Sequence, residues 1–222
     1  MRGVDWFPLY LSLKVAALAT LAALAVGVPL AWLLARRRLP GADLLAALVT
    51  LPMVLPPTVL GYYLLLVIGR QSPLGRLLEG RWGITLVFTW QAAVLAATVV
   101  AVPLVARSAQ AAFEAIDPRL EAAARTLGRS EASVFLTVTM PLAWRGIVAG
   151  AVLAFARAMG EFGATLMVAG NIPGQTQTLS VAIYDAVQAG NQPLAAALVV
   201  VISVVTVAIL AVVGRFARLT GW

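Results

Sequence analysis

The sequence predicts an all-α integral membrane protein of about five transmembrane helices. Two observations carry that prediction. Of the 222 residues, 62% are hydrophobic and only 11% are charged, whereas charged residues make up roughly a quarter of a soluble domain. In addition, five apolar stretches reach the roughly 20 residues needed to cross about 30 Å of hydrocarbon. They run through the chain without a soluble remainder, so residues 1–222 read as a single transmembrane domain.

The first stretch, residues 9–35, is too long and too far from any small-residue cleavage pattern to be a removable signal, and reads as a retained helix. The others are residues 44–68, 84–106, 146–169 and 194–213. Residues 178–189 are apolar but short and carry Asp185, so they read as a helix lying at the outer surface; a sixth span is the alternative. Proline punctuates the spans at Pro29, at Pro52, Pro56 and Pro57, and at Pro103. Either these are prolines of the kind membrane helices tolerate, or the Pro52 to Pro57 cluster breaks the second span beside a translocation path. Abundant Ala and Gly allow close helix packing.

The arginines orient the chain. One side of the membrane receives Arg36, Arg37, Arg38, Arg107, Arg119, Arg125, Arg129, Arg145, Arg215 and Arg218, and the other receives Arg2, Arg70, Arg76 and Arg81. That asymmetry places the first side in the cytoplasm, the N-terminus outside and the C-terminus inside. The net charge of +7 is thereby explained by membrane orientation; the arginines form no basic stripe with interleaved aromatics, and no nucleic-acid partner is expected.

Very little side-chain chemistry is available. The chain has no Cys and no His, which removes thiolate nucleophiles, imidazole bases and the common zinc and haem sites. No catalytic, cofactor-binding or metal-ligating residues are expected, and an intramembrane enzyme has almost nothing to work with. An ion-coupled secondary transporter would show inverted repeats or a chain of titratable groups; no repeat is evident, and Glu161 is the only acidic residue at depth. A purely structural anchor is a third possibility.

The long cytoplasmic loop, residues 107–145, is organised as helices. Asp117 followed by Pro118 is a strong helix start, and Gly128 a natural stop. Ser130 can cap a second helix containing Val134, Phe135 and Val138, which leads to Pro141. The run Glu121-Ala122-Ala123, with Gly128 and then Pro141 thirteen residues later, resembles the cytoplasmic EAA signature of ABC importer permeases. The resemblance implies a type-I importer permease fold whose short coupling helix docks on a separate ATPase, with Glu121, Ala122, Ala123, Arg125, Gly128, Arg129 and Pro141 serving that coupling. Two departures stand out: four residues separate the triplet from Gly128 where three are usual, and Met140 replaces the usual Leu. If Gly128 and Pro141 set the register, Ala122 occupies the usual Glu position.

A second run narrows the branch. Gly160-Glu161-Phe162-Gly163-Ala164-Thr165, then Asn171-Ile172-Pro173-Gly174, Gln177-Thr178-Leu179 and Ala182-Ile183-Tyr184, resembles the molybdate permeases, whose relatives carry sulfate or thiosulfate. Tungstate is expected to follow the same route. On this resemblance the chain is not an enzyme by itself but the inner-membrane, multi-pass subunit of an ATP-hydrolysing translocase. Its sole lysine, Lys14, lies in the first span and no phosphate loop is present, so ATP and magnesium are expected on the partner. The implied assembly is a permease homodimer in the lipid bilayer with two ATPases and an extracytoplasmic molybdate-binding protein. That protein is expected to meet residues 171–192 and Arg70, Arg76 and Arg81.

Candidates for a gate or translocation path are Pro56, Pro57, Thr58, Gly160, Glu161, Gly163 and Thr165. Arg157 and Glu161 are four residues apart in one span. They are either a functional intramembrane pair or a mutually neutralised pair that orients the helix. A carboxylate is a poor ligand for a dianion, so Glu161 is read as part of a gate or hinge.

Overall fold

The computed structural model describes the backbone of residues 5–36 and 40–219, with side chains to residue 211. Arg2, Arg37 and Arg38, and the side chains of Arg215 and Arg218, which entered the orientation argument, lie outside the described residues. Those described form helices and turns without a strand: α1 (Phe7–Ala35), α2 (Ala42–Val54), α3 (Pro57–Ile68), α4 (Pro73–Trp82), α5 (Trp90–Glu114), α6 (Pro118–Thr126), α7 (Glu131–Val134), a π-helical turn (Phe135–Thr139), α8 (Met140–Met159), α9 (Gly163–Ala169), α10 (Leu179–Gln188) and α11 (Gln192–Leu219). Four continuous helical runs are long and apolar enough to cross a membrane: Phe7–Ala35, Trp90–Glu114, Glu131–Met159 and Gln192–Ala211. The pair α2 and α3, bent by 114°, makes a fifth run of sufficient length and apolarity when taken as one broken span.

Of the two readings of the Pro52 to Pro57 cluster, the bend bears out the break: residues 44–68 form two helices, not one. Pro56 and Pro57 carry no N–H, so the carbonyls four residues earlier lose their helical donors and the chain turns. Pro29, Pro52 and Pro103, by contrast, sit inside continuous helices. Only the doubled proline breaks its helix.

Two further boundaries differ from the hydropathy reading. The third span starts at Trp90, not residue 84, because Gly83 at φ +64° ends α4 and the Thr89 hydroxyl caps α5 by accepting the Ala92 N–H at 3.3 Å. It also runs past Arg107 to Glu114, since Arg107 reaches sideways and donates from Nε to Thr50 Oγ1 at 3.0 Å. The fourth span ends at Met159, not residue 169: the chain breaks at Gly160 and restarts as α9. The segment between the long helices is accordingly shorter than residues 107–145, because α5 takes its start and the run from Glu131 its end.

Small residues set the packing. One cluster joins Leu11, Val15, Ala16 and Ala19 of α1 to Ala92, Ala93, Ala96 and Ala97 of α5 and to Ala158 and Met159 of α8. A second joins Ala23, Val28 and Ala31 to Ala101, Val105, Ala109 and Phe113 and to Ala143 and Ala154. The pairing of early with early residues makes α1 and α5 parallel, and α8 runs against both. At the α5–α8 crossing, a Cβ on Gly150 would lie 2.9 Å from Ser108 Cβ and 3.2 Å from Val105 Cα, so the glycine permits backbone approach. Helix α10 is not a span; it tucks Leu179, Val181, Ala182 and Ala186 inward and donates its Leu179 N–H to Ser12 Oγ at 2.8 Å.

Candidate functional site

Helix α6 is built as the sequence suggests. Asp117 Oδ1 accepts the Arg119 N–H at 2.9 Å, and Pro118 opens the first turn. At the other end Gly128 adopts φ +79°, and the N–H groups of Gly128 and Arg129 return to the carbonyls of Arg125 and Ala124 at 3.0 and 3.2 Å. A side chain there would be strained by backbone conformation alone, since a Cβ would meet nothing within 4 Å.

The residues of α6 divide by direction. Glu121 and Arg125 turn inward to the protein's own spans. Glu121 Oε1 accepts the Thr139 hydroxyl at 2.7 Å, and its Oε2 lies 3.1 Å from Arg125 Nη2 and 3.6 Å from Arg36 Nη2. Arg125 also donates from Nε to Glu131 Oε1 at 2.5 Å, and Arg36 Nη1 approaches Glu131 Oε2 at 3.6 Å. Hydrogen bonds to Glu131, then to Glu121, push the Arg125 pKa above its already high value, so this guanidinium is permanently charged. Arg36 stacks over Trp32 at 4.3 Å, and Trp32 meets Phe135 edge-on at 5.3 Å. The cluster thus ties α6 to the end of α1 and the start of the fourth span. Ala122, Ala123, Gly128 and Arg129 are exposed, as is Leu127 at 83%.

Pro141 acts from a distance. Lacking an N–H, it cannot bond the Thr137 carbonyl, and the turn just before it widens, with Met140 N–H bonding Phe135 O. That π turn contains Thr139, the buried partner of Glu121. Sequence reasoning had not assigned Arg36, Glu131 or Thr139 to this site. The Glu121–Arg125 spacing of four was legible; Arg36, arriving from the far end of another span, was not.

The second candidate region is where the two broken helices meet. A Cβ on Gly163 would stand 3.0 Å from Pro57 Cβ and 3.4 Å from Thr58 N, and one on Gly61 only 2.6 Å from Met167 Cβ. The starts of α3 and α9 therefore touch through glycine. Glu161, whose side chain is 1% exposed, lies in the break. Its Oε1 accepts the Ala164 N–H at 2.9 Å, and its Oε2 faces Arg157 Nη1 at 2.8 Å. The pair touches, although Glu161 lies beyond the end of α8 and not on its face as the spacing implied. Of the other gate candidates, Pro56, Pro57, Thr58 and Gly160 are exposed, Gly163 is buried, and Thr165 is packed inside at 1% exposure.

Comparison with known proteins follows the same lines. A family model described as "Binding-protein-dependent transport system inner membrane component" matches residues 27–220. The molybdenum transport system permease protein ModB of Escherichia coli (strain K12) is 47% identical over 200 residues, covering 90% of this chain and 87% of that protein. The putative molybdenum transport system permease protein YvgM of Bacillus subtilis (strain 168) is 44% identical over 199 residues, covering 90% and 88%. Among solved structures, an inward-facing MetNI methionine ABC transporter superposes with a TM-score of 0.73 at 20% identity across all of both chains. A bacterial ABC transporter that imports alginate gives 0.77 at 15% identity, covering 98% of this chain and 80% of that one. At such identities the structures speak for the fold alone, that of an ABC importer permease. The chain belongs to the family of binding-protein-dependent transport system inner membrane components.

Proposed function

We propose that this chain is the membrane-spanning subunit of an ATP-driven importer of molybdate, and of tungstate by the same route. The observation that carries the reading is the 47% identity, over 90% of the chain, to a molybdenum transport permease. The geometry of α6 supports the mechanism. A helix capped at both ends, pinned from behind by Glu121 and Arg125, offers Ala122, Ala123, Leu127, Gly128 and Arg129 outward. That is a rigid, small-residue surface suited to a groove on an ATPase, which binds ATP and magnesium and performs the hydrolysis.

Because the rear attachments run to α1 and to the run entering α8, a push on α6 is passed to two spans at once. The far end of α8 is the break at Gly160, where α9 meets α3. Movement imposed at α6 thus reaches the candidate gate through one continuous helical run. The orientation that fits has α6, Arg36 and Arg107 in the cytoplasm and the N-terminus outside. Two copies form the path at a two-fold axis, and each presents one α6 to one ATPase. The outer face, with residues 171–192, receives an extracytoplasmic molybdate-binding protein.

The test is ATP hydrolysis by the permease with its ATPase in liposomes, with the binding protein empty or loaded with molybdate, tungstate or sulfate. Stimulation by molybdate and tungstate but not sulfate is expected. Stimulation by sulfate alone would reassign the cargo, and no stimulation by any of the three would sink the reading.

A further inference from the structure

Arg157 is a charge at depth in a membrane-spanning helix, and its side chain is 37% exposed. Exposing a guanidinium to lipid is costly, so an intramembrane charge faces protein or water. The exposed part of Arg157 opens on a cavity of about 160 Å³ lined also by Pro52, Met53, Leu55, Pro57, Val100 and Leu104. Every other side chain around that cavity is apolar. The α2–α3 break forms one wall, and Arg157 supplies the single side-chain donor.

We infer that Arg157 is the mid-membrane contact for the oxyanion in transit, held in place by Glu161. The assignment rests on the proposed function above, because it takes a tetrahedral dianion as the cargo. A bare arginine in such surroundings would hold a dianion too tightly to release it. Glu161 removes that difficulty. It neutralises the site, with Oε2 2.8 Å from Nη1, and a guanidinium has five N–H groups, more than one carboxylate oxygen uses, so donors remain for cargo. Glu161 is itself fixed by the Ala164 N–H at the head of α9, so the direction of Arg157 is set by the same break that forms the gate. A neutral pair with spare donors offers an oxyanion hydrogen bonds without a net charge to trap it. Passage needs that balance, since a site must be favourable enough to enter and weak enough to leave. Glu161 is then a positioning residue, and Arg157 the one that touches cargo.

The experiment uses the whole transporter, permease with ATPase and binding protein, in proteoliposomes, and measures radiolabelled molybdate taken up per ATP hydrolysed. The double variant Arg157→Gln with Glu161→Gln removes the charges as a neutral pair and leaves a carbonyl for the Ala164 N–H. Its uptake per ATP hydrolysed is expected to fall about tenfold, the effect of losing one charge-assisted hydrogen bond. A role in packing alone would leave that ratio unchanged, and a change of less than about twofold overturns the assignment. Should the double variant fail to assemble, Arg157→Lys decides. It keeps the charge but loses the planar fork, and an uptake per ATP equal to wild type overturns the assignment. A wild-type transporter that moves no oxyanion overturns the proposed function and this assignment with it; one that does, beside an unaltered variant, overturns the assignment alone.

Discussion

The cluster behind α6 and the pair at the α8–α9 break both join arginine to glutamate, yet they are opposite solutions. Behind α6 two arginines and two glutamates share partners, with a threonine hydroxyl completing the set, and Glu131 and Arg125 remain open to water. At the break one arginine meets one carboxylate that is almost wholly buried. Water and salt can replace any one contact of the first. Nothing replaces the carboxylate of the second. The first arrangement suits a joint that must hold while a partner pushes on it, and the second a site whose charge balance is its function.

Loss of the single partner should produce the largest effect. Glu161→Ala leaves Arg157 uncompensated and the Ala164 N–H uncapped. A loss of about 3 kcal/mol is expected, at the lower end for a broken buried pair because Arg157 is partly exposed. Thermal unfolding of the detergent-purified transporter measures it; a loss no greater than that of Glu121→Ala would show that the break is as wet as the cluster behind α6.

Glycines sharpen the contrast in another way. Gly61→Ala places a Cβ 2.6 Å from Met167 Cβ, and overpacking of that kind costs about 2 kcal/mol. Gly128→Ala meets no atom within 4 Å but must adopt φ +79°, so about 1 kcal/mol is expected from backbone strain alone. Unfolding midpoints of the two variants under one condition test the order, which reverses if α3 and α9 can separate freely.

Glu121→Ala should cost about 1 kcal/mol through the hydroxyl and guanidinium partners left behind. The difference between wild type and this variant should shrink as salt rises from about 0.05 to 0.5 M, because exposed charges are screened. The corresponding difference for Glu161→Ala should hold. Equal salt dependence of the two would erase the distinction drawn between the regions.

The smallest effect on stability belongs to Leu127→Glu, within about 0.5 kcal/mol for so exposed a side chain. Its consequence should appear in assembly, as loss of ATPase co-purification. Retained association would move the docking surface off the outward side of α6.

Local rules account for much of this molecule. Apolar run length located the crossings, the Asp117-Pro118 start and the Gly128 stop bounded α6, and Pro56-Pro57 marked the break within residues 44–68. Each of these is a property of a few adjacent residues, so the sequence alone determined it. What escaped was decided between distant segments. Hydropathy cannot see a cap, so it began the third span at residue 84 and ran the fourth through the break at Gly160. The spacing of four between Glu121 and Arg125 could not show both facing inward, because Arg36 and Thr139 reach that point from other helices. Nor could it show that Arg157 and Pro57 share one cavity. A charge in an apolar chain must be matched somewhere, and the sequence says that much. Which partner matches it, and what the remaining donors face, is set by how the helices cross, and only the tertiary structure decides that.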